Sequence, residues 1–61
     1  MSETETLIET LRSTRAALLA ARKTIVINGH LDAMVEIDTL LAVVQAETDR
    51  RIAIAIARRS A

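Results

Sequence analysis

The chain contains no cysteine, no proline, no phenylalanine, tyrosine or tryptophan, and one glycine, Gly29. Without cysteine there is neither a disulfide nor a thiolate ligand, and the single histidine, His30, cannot build a multi-histidine metal site, so no metal and no other cofactor is expected. Without aromatic rings nothing stacks on a nucleobase. Neither sign of charge is in excess, since eight basic and eight acidic residues give a formal net charge of zero. Broad attraction to polyanions is therefore missing, and a nucleic-acid partner is not expected. Long apolar runs are lacking too. The longest, Ala16 to Ala21 and Ile52 to Ala57, fall far short of the roughly 18 to 20 residues that span a bilayer. The first residues are acidic where a secretory signal would be basic, and a cytoplasmic protein without membrane contact is the expectation.

What is present is aliphatic. Hydrophobic residues make up 51% of the 61 positions, all of them Ala, Leu, Ile, Val or one of two Met. A chain this short forms one small domain, 1–61, in the size range where a single core is marginal unless something adds to it. Two helices made of these side chains cannot enclose them all. The surplus points to self-association, because each Å² of apolar surface buried between chains contributes roughly 25 cal/mol.

One punctuation mark divides the sequence, Asn28-Gly29. Gly29 suits the left-handed residue that closes a helix, and Asn28 or His30 can open the next. The pattern predicts an all-α antiparallel hairpin: helix 1 over about 3–27, a turn at 28–30 and helix 2 over about 31–59, each about 36 to 44 Å long. Ser2 or Thr4 can cap the first helix, with Glu5 placed for a capping box. Two segments oppose this on propensity. Thr24-Ile25-Val26-Ile27 is a β-branched run, and Ile52 to Ala57 alternates as a strand would. Both are assigned to helix, the first because Leu18, Ile25 and Val26 continue one stripe and an isolated strand has no partner. In a helix Ile54 then joins Leu40 and Val43 on a second stripe, away from Leu41, Ile52 and Ile56. A helix with two apolar stripes touches two neighbours, and Leu40, Val43 and Ile54 are the expected interface with a second chain.

Arg15 and Arg22 stand seven residues apart within the apolar arc of helix 1, with Leu7, Leu11, Leu18 and Ile25 to one side and Ile8, Leu19 and Val26 to the other. Asp38 and Gln45 repeat that spacing in helix 2, among Leu31, Met34, Leu41, Ile52 and Ile56. A turn centred near residue 30 predicts Arg22 facing Asp38, Arg15 facing Gln45, Glu9 opposite Arg51, and the apolar pairs Ile8 with Ile52, Leu19 with Leu41 and Val26 with Met34. A dry Arg22–Asp38 pair broken from one side would cost about 3 to 5 kcal/mol, and much less if the arginine reaches water. Such pairs commonly set register and partner number rather than perform chemistry. The functional alternative is an anion site: two guanidiniums about 10 Å apart, joined by Arg12 and doubled by a second chain, can clamp phosphates or carboxylates with bidentate bonds.

The remaining candidates lack companions. His30 has no second ligand or nucleophile beside it, and Ser13, Thr14 and Ser60 have no base at suitable spacing. Glu3, Glu5 and Glu9 at the start and Arg50, Arg51, Arg58 and Arg59 at the end compensate each other across the open ends of a hairpin and suit the helix dipoles. Ile37-Asp38-Thr39-Leu40-Leu41 resembles the isoleucine-aspartate and leucine-leucine rhythm of the first helix in the small all-helical chorismate mutases, which hold a dicarboxylate with arginines in a helical dimer. Those enzymes have a longer first helix and further helices carrying more of the site, so the resemblance is one of packing and implies no activity here.

The sequence thus leads to a non-enzymatic homo-oligomeric protein, most simply a dimer forming a four-helix bundle, that acts as an adaptor, assembly factor or inhibitor of a protein partner. Accessory proteins of bacteria and their viruses offer the analogy. The alternative is a protein that sequesters a small anionic ligand or nucleotide between chains through Arg15, Arg22 and Arg12, with Asp38 and Gln45 across the seam.

Overall fold

A computed structural model describes residues 2–60, which form two helices, α1 (Glu3–Ile27) and α2 (Leu31–Ser60). Arg22 meets Asp38 near the turn and Glu5 lies beside Arg59 at the far end, so the helices run antiparallel along their whole length. The body measures 49 × 19 × 11 Å. Both β-branched segments are helical, as the stripes required. Helix α2 extends one residue further than its pattern suggested, through Ser60.

The ends follow from local chemistry. Ser2, extended at φ −74° and ψ 160°, caps α1 by accepting from the Glu5 N–H at 3.2 Å. The return bond of a capping box is not seen among the described residues, and the Glu5 carboxylate instead lies 3.9 Å from the Arg59 guanidinium. At the other end the His30 N–H donates to the Ile25 carbonyl at 3.1 Å and the Gly29 N–H to Val26 at 3.2 Å, the nested pair of a Schellman closure. Gly29 carries the positive φ, 75°, that this closure demands. The Asn28 amide adds a bond to the Thr24 carbonyl at 2.9 Å, and the His30 carbonyl accepts from Ala33 to start α2. Asp32 in the first turn of α2 and Arg58 and Arg59 in its last turn complement the dipole. An added Cβ at Gly29 meets nothing within 4 Å, so Gly29→Ala carries backbone strain alone. The expected loss is about 1 to 2 kcal/mol, read as a lower midpoint in urea with the helical spectrum unchanged.

The seam is narrower than the helical wheel implies. Part-buried positions on α1 are Thr4, Ile8, Leu11, Leu18, Ala21, Arg22 and Ile25, and on α2 Ala33, Met34, Ile37, Leu41, Val44, Glu47, Arg51, Ile52 and Ala55, around the buried Thr48. Steps of three and four residues dominate both sets, the periodicity of antiparallel helices packed side by side at small angle. The wider arc drawn from the wheel therefore splits. Leu7, Leu19, Val26, Leu31 and Ile56, expected in the core, are exposed on its flanks. No apolar side chain among the described residues is enclosed. The one buried residue is Thr48, 5% exposed, whose hydroxyl is satisfied by the Val44 carbonyl at 2.7 Å.

The surface measures 4638 Å², against about 3,900 Å² for a compact globule of this mass. The excess is the physical consequence of two rods lying side by side: each has one neighbour, and most of its circumference faces water.

Candidate functional site

Arg22 sits in the seam of α1 and its Nε donates to Asp38 Oδ1 at 2.7 Å, as the register requires. The pair is wet, since 40% of the arginine side chain and 50% of the aspartate side chain are exposed. The large penalty of a dry site does not apply. Asp38→Asn is expected to lower stability by about 0.2 to 1 kcal/mol, with the difference shrinking as salt is raised in denaturation experiments.

The second polar pair does not form. Gln45 is exposed and its amide donates to Asp49 Oδ1 at 2.9 Å, one turn along its own helix. Arg15, although it occupies the seam spacing of Ile8 and Arg22, is exposed and enters no ion pair among the described residues. Arg12 is likewise exposed and unpaired there. Their long stems let the guanidiniums reach water at low cost, which removes the need for a partner across the seam. Arg51, expected opposite Glu9, bonds Glu47 at 2.7 Å, and Arg50 holds the other oxygen of the same carboxylate. An i,i+4 neighbour on the same helix is closer and costs less ordering than a partner across it.

The two flanks of the seam give the molecule two broad faces. Viewed along an antiparallel pair, residues displaced in the same rotational sense on each helix come to the same side. One face carries Arg12, Arg15, Leu19, Val26, Asp38 and Ile56. The other carries Leu7, Thr10, Thr14, Ala17 and Ala21 from α1 with Glu36, Leu40, Val43, Glu47 and Ile54 from α2. Open clefts at the far end mark both sides: one of about 590 Å³ lined by Ile8, Ile52 and Ile56 with Glu5, Arg12 and Arg59, and one of about 280 Å³ lined by Leu7 and Ile54 with Glu3, Arg51 and Arg58.

The second face has the chemistry of a surface that can be covered. Leu40 is 49% exposed, Val43 60% and Ile54 37%, which leaves them on the second stripe that the sequence separated from the seam. The threonines beside them are already satisfied. Thr10 donates to the Thr6 carbonyl and Thr14 to the Thr10 carbonyl, each at 2.9 Å, so burying either hydroxyl strands no donor. Glu47 also borders this face, with both carboxylate oxygens held by Arg50 and Arg51. Neither the threonine ladder nor the doubly held carboxylate was singled out from the sequence. The signal was present in the four-residue spacing of Thr6, Thr10 and Thr14, and in Glu47 three and four residues ahead of two arginines.

His30 is exposed at the turn, and the Thr14 hydroxyl is committed to its helix. Among the described residues no three His, Asp or Glu side chains gather as metal ligands, and no helix is long and apolar enough to cross a membrane. Compared with known proteins, the chain matches no family model, no curated protein and no solved structure.

Proposed function

We propose that the hairpin is a non-enzymatic interaction protein that works as a homo-oligomer, most simply a dimer forming a four-helix bundle, and serves as adaptor, assembly factor or inhibitor of a protein partner. The observation that carries this reading is the exposed Leu40, Val43 and Ile54 on a body that encloses no apolar side chain of its own among the described residues. A two-helix unit of this size is marginal alone, and the broad face supplies what the seam lacks. Light scattering is expected to give a multiple of the 6.7 kDa chain mass. A mass of one chain at every concentration would overturn the reading.

A second reading draws on Arg12 and Arg15, which are exposed and without ion-pair partners among the described residues. Both flank the seam on the face opposite Leu40 and Val43, where guanidiniums can grip a phosphate or carboxylate. Thermal-shift measurements with nucleotides and dicarboxylates separate the two. Stabilisation lost in Arg15→Ala and kept in Arg58→Ala supports an anion site, whereas no shift with any anion removes it.

A further inference from the structure

We infer that the occupant of the Leu40–Val43 face is a second copy of this chain in one orientation, related by a two-fold axis parallel to the helices, so that α1 of each copy lies antiparallel on α2 of the other with Ala17 and Ala21 receiving Val43 and Leu40. The inference rests on the self-association proposed above and adds the geometry.

The Arg22–Asp38 bond fixes the levels along the hairpin. Ala17 lies five residues before Arg22 and Val43 five residues after Asp38, which puts them at one height, and Ala21 and Leu40 stand one turn nearer the loop. A two-fold axis parallel to the helices preserves height. It lays the small residues of one α1 over the large residues of the other α2, the ridge-into-groove match that lets helices approach to about 8 to 10 Å. A two-fold axis across the helices stacks like on like instead, and leaves Leu40 and Val43 without small counterparts.

Polarity and area agree. The α1 surface between Leu7 and Ala21 on this face is uncharged, and the Thr10 and Thr14 hydroxyls are bonded to their own helix. Nothing there opposes Glu47, whose charge is balanced locally by Arg50 and Arg51. The opposite face sets the unpaired Arg12 and Arg15 beside its apolar residues, whereas the unpaired charges on this side, Glu3, Glu36 and Arg58, stand beyond the heights of the Ala17–Val43 and Ala21–Leu40 contacts. The whole face of 49 × 19 Å, its charged far end at Glu3, Arg51 and Arg58 included, offers about 900 Å², against about 800 Å² per partner in a standard interface.

The absence of native cysteine makes the test clean. Ala17→Cys and Val43→Cys are made separately at exposed positions, checked for helicity and mass, mixed, and oxidised. The expected main product is a disulfide-linked pair of one chain of each kind, with neither variant linking to itself. Self-linking of Ala17→Cys, or no linking while the mass remains that of a dimer, overturns this orientation and leaves the self-association standing. A mass of one chain before oxidation removes both.

Discussion

Replacing Leu40 and Val43 together by glutamate is expected to reduce the assembly to single chains of 6.7 kDa and to lower the melting temperature sharply. Leu40 is 49% and Val43 60% exposed in the hairpin, so covering what remains of each in a dimer contributes about 0.8 to 1.5 kcal/mol, roughly half the value of a whole side chain, and two-fold symmetry repeats both losses. The sum, about 3 kcal/mol or more before any cost of desolvating four new carboxylates, weakens association by about two powers of ten or more. In a solitary hairpin the same changes would sit on solvent, where surface substitutions alter stability by about 0.5 kcal/mol or less and glutamate is the better helix former than valine. One variant therefore separates the two states of the molecule. Light scattering reads the mass and circular dichroism the melting point.

The second large effect belongs to the seam. Leu18→Ala combined with Leu41→Ala removes two part-buried side chains from opposite walls of the hairpin, near one another in height. Large-to-small changes in a dry core cost about 2 to 5 kcal/mol each, and incomplete burial moves these toward the lower end. A 61-residue protein has only about 3 to 9 kcal/mol to lose. Loss of most helical signal at 25 °C is the expected outcome by circular dichroism. Val35→Ala, on an exposed apolar side chain, is the matched control and should leave the unfolding curve in place. If both variants melted alike, the stability would not reside in the seam.

The hairpin was legible because its determinants are local or nearly so. Gly29 is the one residue able to take φ 75° without strain, and the bonds that use it come from residues three and five positions back. Ser2 lies in the sequence where its hydroxyl must go. The Arg22–Asp38 pair was legible for a different reason: the turn fixes the height of residues near it to within about one helical turn. Away from the turn that constraint loosens and same-helix partners compete. Gln45 chose Asp49 over Arg15, and Arg51 chose Glu47 over Glu9, because an i,i+4 bond exists as soon as the helix does. The core is narrower than the wheel at Leu7, Leu19, Val26, Leu31 and Ile56. A helical wheel spreads an apolar arc over all the side chains that a helix could bury, while one neighbour covers only a strip of it. Thr48 shows the converse. A polar type at the centre of that strip is the most enclosed residue of all, its hydroxyl absorbed by its own backbone.

That same strip geometry is the ground on which a second neighbour is proposed. A helix whose apolar residues occupy both the seam and the Leu40, Val43 and Ile54 stripe has only the first covered in the hairpin, and the proposed dimer covers the second. Equilibrium sedimentation of the unaltered chain across a range of concentrations tests this most directly. A weight-average mass that rises to twice 6.7 kDa and falls toward it on dilution, with helicity falling alongside, is the predicted result. A fully helical species of one chain at all concentrations would contradict it.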